Sequence, residues 1–225
     1  MSRITASPNA IVRPDHQTSI IRPVLSSALL FMLIAGIAYP LATTAVAQLL
    51  MSDRANGSLV IRHDLAIGSE VIGQQFTLPE YFHGRPSATV GTDPSDSSKT
   101  IDQPYNAASS GASNQGALSK KLLDAVAGRA ATYREENGLA STALIPVDAV
   151  TASASGLDPD ISLFNARIQA KRIATARGVS IDRVLALVSE IANRPQLGLL
   201  GDSRVNVLTL NLTLDQVLPS PSSAR

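Results

Sequence analysis

The chain contains no cysteine and no tryptophan, and aromatic residues make up only 4% of it. Without thiols there is no disulfide, no thiolate metal site and no cysteine nucleophile, a usage that fits an oxidising bacterial periplasm. The scarcity of aromatic faces removes the usual platforms for carbohydrate and for stacked bases. The compact signatures of strong catalytic sites are missing too: no G-x-x-x-x-G-K-[ST] phosphate loop, no H-E-x-x-H pair, no G-x-S-x-G elbow and no S-x-x-K. The three histidines, His16, His63 and His83, lie far apart on different expected segments. No metal centre is expected from them.

Charge is missing altogether from Pro23 to Ser52, PVLSSALLFMLIAGIAYPLATTAVAQLLMS. A helix rises about 1.5 Å per residue, so roughly 20 apolar residues cross a hydrocarbon core of about 30 Å. Val24 to Ala47 meets that length. In lipid every backbone polar group must be paired within the segment, which favours a transmembrane helix, with a kink at Pro40 where a donor is lost. Tyr39 suits an interface or a packed neighbour, and the small residues Ala35, Gly36 and Ala38 allow close approach of partner helices. The rival is a cleavable secretory signal, with Val24 to Ala38 as its apolar core and Ala45-Val46-Ala47 as its cleavage site. Against it, the apolar run continues through Leu49, Leu50 and Met51. The leading segment is also long for a signal. Either reading exports the remainder. Arg3, Arg13 and Arg22 precede the span and Arg54 and Arg62 follow it, so the positive-inside bias is slight.

The first 51 residues hold three arginines and one aspartate, leaving 16 cationic and 17 anionic side chains beyond them. That balance supplies no electrostatic reason to bind nucleic acid. About 174 residues suffice for one domain with its own core. The organisation read from sequence is a short tail (1–22), a transmembrane helix (23–51), a single α+β domain with a mixed or antiparallel sheet (52–218) and a frayed Pro/Ser-rich tail (219–225).

Within the domain, Ser58 to Leu65 and Ile67 to Phe76 read as short strands. Leu78 to Pro86 reads as a turn-rich segment that buries Tyr81 and Phe82, or alternatively as an exposed docking loop around Arg85. Ser87 to Gly111 is poor in apolar residues and reads as a long surface loop. Ser113 is placed as the cap of a helix that begins near Asn114, shows Leu118, Leu122, Val126, Ala130 and Tyr133 on one face, and ends at Gly138. Asp158-Pro159 reads as the start of another helix, with Gly178 as its stop. Arg167, Lys171, Arg172 and Arg177 on that helix read as surface cations that favour its dipole. Ser180 opens a third helix with Ile181, Val184, Leu185, Val188 and Ile191 on its apolar face. Arg204 to Asp215, RVNVLTLNLTLD, alternates and reads as a half-buried strand.

Ile145 to Ile161 gathers Asp148, Thr151, Ser153, Ser155, Asp158 and Asp160 around Gly156. Three readings fit: a serine nucleophile, for which no base is near in sequence; an oxygen-lined cation site or an anion nest; or a tight loop with an aspartate cap. In functional terms these become an exported serine hydrolase using Ser153 or Ser155 after cleavage at Ala47, or a periplasmic cation-binding module using Asp148, Asp158 and Asp160.

Several segments together resemble one family, the C subunit of the Kdp-type potassium-transporting ATPase. They are the hydrophobic span, Gly73 to Ala88 (GQQFTLPEYFHGRPSA), Tyr105 to Gly116 (YNAASSGASNQG), Pro146 to Ser162 (PVDAVTASASGLDPDIS) and Arg204 to Asp215, in that order. The chain departs from the family pattern at Asp160, where histidine is usual, at Leu163, commonly proline, and at Ser113 to Ala117, where SNQGA replaces S-N-L-G-P. The resemblance implies a non-catalytic subunit of an ATP-driven potassium importer in the bacterial inner membrane, with a cytoplasmic N-terminus and a periplasmic domain. Its implied partners are a potassium-channel-like subunit, an ATP-hydrolysing subunit and the lipid bilayer. The family is described as stabilising the complex and raising the ATP affinity of the hydrolysing subunit. Ser153, Ser155 and Gly156 are then the candidates for any nucleotide contact, with no tightly bound cofactor, and Arg85, Tyr105, Asn114 and Asp158 the candidates for docking. Consistent with such a role, the chain lacks D-K-T-G-T and has too few spans to line a selectivity filter.

Overall fold

A computed structural model describes residues 20–62, 64–195 and 197–219. The expectations for most of the N-terminal tail, for His16 and His63, and for residues 220–225 lie outside the described residues. The chain divides into two compact units between Ala55 and Asn56.

The first unit is one apolar helical run, Ile21–Leu50, long and apolar enough to cross a membrane. It consists of α1 (Ile21–Leu33), a π-helical stretch (Ile34–Ala38) and α2 (Tyr39–Leu50), followed by the short α3 (Ser52–Ala55). The π stretch is the local answer to Pro40. Proline has no N–H to donate, and its ring crowds the carbonyl four residues back, so the coil widens just before it. The Tyr39 N–H accordingly reaches back to Ile34 O. The Thr43 hydroxyl lies 3.0 Å from both Tyr39 O and Pro40 O, adding a partner to carbonyls near the disturbance.

Among the described residues the second unit holds three separate two-stranded antiparallel sheets in place of one larger sheet, and none of them is mixed. They are β1 (Leu59–Arg62) with β2 (Leu65–Ser69), β3 (Val90–Asp93) with β4 (Asp96–Asp102), and β5 (Asp160–Ser162) with β6 (Arg204–Asn206). The helices are α4 (Lys120–Glu136), α5 (Val147–Val150), α6 (Leu163–Arg177), α7 (Ile181–Ile191) and α8 (Val207–Val217). The expected strand at 67–76 ends at Ser69, and the β3–β4 hairpin occupies the middle of the expected surface loop.

Three helix assignments need correction. The first helix begins at Lys120 after Ser119; Asn114 sits at φ +50° and Leu118 is exposed, so neither belongs to it. The second begins at Leu163, because Asp160–Ser162 pairs with β6 and Ser162 caps α6 by accepting the Asn165 N–H at 3.1 Å. Its stop at Gly178, φ +65°, is as expected from sequence. The third concerns Arg204 to Asp215, where only Arg204–Asn206 is strand. The alternation of LTLNLTL also satisfies a helical period, since Val207, Leu210, Leu214 and Leu218 are spaced by three and four and all are buried. Asn206 decides between the two by capping α8, its side-chain oxygen accepting the Thr209 N–H at 3.0 Å.

The core is formed by the apolar faces of α6, α7 and α8 with Ile161, Val205 and the fully buried Phe82. Burying a phenylalanine contributes about 1.5–3 kcal/mol. Phe82 is not on a strand. Asn211 of α8 holds its backbone at both ends, accepting the Phe82 N–H at 2.8 Å and donating to Phe82 O at 3.0 Å. Gln169 of α6 does the same for His83, at 2.8 and 3.1 Å. Two buried side-chain amides thus take the place of a neighbouring strand and fix where residues 82–87 run.

Candidate functional site

Residues 83–87 form one wall of a cleft of about 440 Å³, faced by Arg129, Tyr133 and Glu136 of α4. Asn165 and Gln169 of α6 also line it, and the Tyr133 hydroxyl and the Gln169 amide both donate to Asn165 Oδ1 at 2.8 Å. Asn165 Nδ2 donates to Asp148 at 2.9 Å. Asp148 also accepts from the Ser162 N–H at 2.7 Å and hydroxyl at 3.0 Å, so its carboxylate is already occupied by neutral donors. His83 lies at the rim, Nε2 3.1 Å from Leu78 O and Nδ1 3.5 Å from Glu136. Burial, and then the Arg172 charge, hold its pKa below the ordinary histidine value. Burial also raises Tyr133.

The other side of residues 82–87 carries the serine/glycine stretch singled out in the sequence. Ser87 connects the two: its hydroxyl donates to Gly156 O at 2.7 Å and accepts the Tyr105 N–H at 3.0 Å. Thr89 beside it donates to Gln103 O at 2.6 Å and accepts the Asn106 N–H at 3.1 Å. Gly156 has φ +69°, and a Cβ there would lie 2.5 Å from the Thr89 methyl and 2.8 Å from Gly111 O. Gly111 N–H donates to Ser155 O at 2.9 Å. The glycine is therefore required twice, by conformation and by close approach.

Of the residues chosen from sequence, Arg85, Tyr105, Asp158, Ser153, Ser155 and Gly156 fall into one cluster. Arg85 pairs with Asp158 at 2.7 Å. The Tyr105 hydroxyl donates to Arg85 O at 2.7 Å, and burial, then Asp158, push its pKa up to about 12. A side chain on Gly73 or Gly84 would collide with Tyr105, which explains why glycine brackets this segment. Asn114 is not part of the cluster; it is exposed, in an irregular stretch of chain, at φ +50°.

The serine oxygens are occupied locally. Ser153 Oγ accepts the Gly156 N–H at 2.9 Å and Ser155 Oγ the Leu157 N–H at 3.1 Å. Two N–H groups of the stretch thus turn inward, and the only described histidine, His83, faces Leu78 and Glu136. The aspartates of the cation-module reading are likewise taken up: Asp158 by Arg85, Asp160 by Arg204 at 2.7 Å, Asp148 by its three donors. Among the described residues no group of acidic and imidazole side chains is arranged to hold a metal ion. Burial raises the Asp160 pKa, although Arg204 opposes the shift.

Sequence reasoning missed Ser87, Thr89, Asn165, Gln169 and Asn211. The signal for the last three was available, as amides at buried helical spacings. That for the hydroxyls was not, because their partners are 14 to 69 positions away.

The family model for the K+-transporting ATPase c chain matches residues 21–216. A potassium-transporting ATPase KdpC subunit of Rhodopseudomonas palustris is 52% identical over 199 residues, 88% of this chain and 98% of the relative. That of Mycobacterium tuberculosis is 49% identical over 195 residues, 87% of this chain and 97% of the relative.

Proposed function

The chain belongs to the KdpC family, a component of the K+-transporting ATPase and not a catalytic enzyme on its own, and from that premise we propose that it is a single-pass accessory subunit that holds the pump together. In this reading Ile21–Leu50 anchors it in the bacterial inner membrane, the N-terminus is cytoplasmic and the second unit is periplasmic. The second unit docks on the potassium-channel-like subunit and stabilises its assembly with the ATP-hydrolysing subunit. The match over residues 21–216, which includes both the span and the domain, carries the reading.

Any rise in ATP affinity then acts through the assembled complex. The Ser153 and Ser155 oxygens already accept the Gly156 and Leu157 N–H groups of their own loop, which takes two donors away from any phosphate. A periplasmic domain is also separated from cytoplasmic ATP.

Affinity purification of the tagged full chain from membranes that express the whole transporter tests the proposal. The expected result is recovery of a K+-stimulated ATPase, with the domain digested only by protease added from the periplasmic side. Recovery of the chain alone, or digestion from the cytoplasmic side, contradicts it.

A further inference from the structure

The accessory role makes no use of the cleft between residues 83–87 and α4, whose lining carries an unbalanced cation. Two guanidiniums, Arg85 and Arg129, and one carboxylate, Glu136, face it. Burial keeps the Tyr105 and Tyr133 hydroxyls protonated and the His83 ring neutral at pH 7, so the charge of the cleft is that of the two arginines and the glutamate. Glu136 is already engaged: its carboxylate lies 3.5 Å from His83 Nδ1 and supports the charge of Arg172, which is not among the lining residues. Asp148 is not among them either, and is taken up by its three neutral donors. Arg85 is half engaged. One arm of its guanidinium meets Asp158 at 2.7 Å, while its Nε is buried with no acceptor among the described residues. Arg129 has no carboxylate partner among the described residues. It donates to Val150 O at 3.1 Å, a neutral acceptor that orients the guanidinium and leaves its charge uncompensated.

A surplus guanidinium attracts an anion, and its planar fork matches a carboxylate through two parallel hydrogen bonds. The rest of the lining selects the body that carries it. Phe76, Pro86, Pro104 and the half-buried ring of Tyr105 give the cleft an apolar wall that a bare inorganic anion would leave wet. The polar groups of α6 and α4 in the lining ask for nothing, because Tyr133 and Gln169 both donate to Asn165 at 2.8 Å. A volume of about 440 Å³ also falls among those of small-molecule sites, which run from roughly 300 to 1,000 Å³. We propose that this cleft binds a small organic carboxylate, the carboxylate held by Arg129 with Arg85 beside it and a flat apolar body lying against Phe76, Pro86 and Pro104. The proposal goes beyond the accessory role and is independent of it, since every residue it uses belongs to this chain.

Benzoate is the probe, with its neutral isostere benzamide and inorganic phosphate as comparisons, titrated by calorimetry into the full chain in detergent. Benzoate is expected to bind about tenfold or more tightly than benzamide, the gap reporting the charge of the guanidinium. Equal affinities overturn the proposal, since partition into detergent or a purely apolar cleft would give them. Displacement of benzoate by an equal concentration of phosphate also overturns it, by making the occupant an inorganic anion. Arg129→Gln is expected to lower the benzoate affinity to that of benzamide at an unchanged unfolding midpoint. Thr132→Phe, at an exposed position of α4 that lines the cleft, is expected to abolish benzoate binding by filling the space. Undiminished benzoate affinity in either variant overturns the proposal, and Thr132→Phe carries the test alone if Arg129→Gln does not fold. On the assembled transporter the affinity is expected to be retained. Its loss there would show a neighbouring chain filling the cleft, which overturns a small solute as the occupant and leaves the accessory role standing.

Discussion

Two glycines with nearly the same backbone conformation separate conformational strain from close packing. Gly178 has φ +65° with nothing within 4 Å of a built Cβ, whereas Gly156 has φ +69° with the Thr89 methyl at 2.5 Å and Gly111 O at 2.8 Å. An L-residue in the left-handed region costs about 1–2 kcal/mol, so Gly178→Ala should destabilise by about that amount. Gly156→Ala carries the same cost plus overpacking of about 1–3 kcal/mol, roughly 2–5 kcal/mol together. The two variants should therefore differ by about 1–3 kcal/mol, a gap in midpoint temperature of roughly 2–12 °C for a domain of this size. The assay is thermal and urea unfolding of the full chain in one detergent, with equal m-values confirming comparable transitions. Equal destabilisation by the two alanines would refute the contact between the serine/glycine stretch and the Ser87–Thr89 segment. It would also reopen a ligand-binding reason for glycine at 156.

Arg177 is buried, pairs with Asp215 at 2.7 Å and donates to Glu80 O at 2.9 Å and Leu218 O at 2.7 Å. Arg177→Met should cost about 3–5 kcal/mol by stranding those acceptors, and adding Asp215→Leu should recover part of it in a double-mutant cycle. His83 binds its proton more weakly in the fold than in the unfolded chain, because burial and Arg172 outweigh Glu136. Its contribution to stability is therefore whole above the usual value of 6.5 and declines as the pH falls below it, so His83→Gln should flatten the fall in unfolding midpoint between about pH 7 and pH 5. Ser153→Ala with Ser155→Ala should leave the ATP dependence of the assembled pump unchanged while lowering the chain's own stability by about 1 kcal/mol per lost cap-type bond. A several-fold rise in the KM for ATP would contradict the local role of those hydroxyls.

The helical span was legible because thirty uncharged residues admit few alternatives. The amphipathic face of α7 was legible for a similar reason: one period fits it. The segment 204–215 failed because leucine at every second position satisfies both a strand and a helix. The choice between them rests on the Asn206 cap and on Phe82, which is 129 residues from the Asn211 that binds it. Likewise the helix start at Asp158-Pro159 had a sound local rationale. β6 overrode it by pairing with Asp160–Ser162. At the candidate site, sequence found the polar residues that cluster but not the hydroxyls that join them. Ser87 and Thr89 sit in a stretch whose composition looks like solvent-exposed loop, and only the folded chain brings Gly156 and Gln103 to them.

K+-stimulated ATP hydrolysis by the purified pore-forming and ATP-hydrolysing chains, measured with this full-length chain present and omitted, tests the central claim most directly. The account predicts no hydrolysis by this chain alone, and in its absence a large loss of K+-stimulated activity together with a raised KM for ATP. The same rate and the same KM without it would contradict the account.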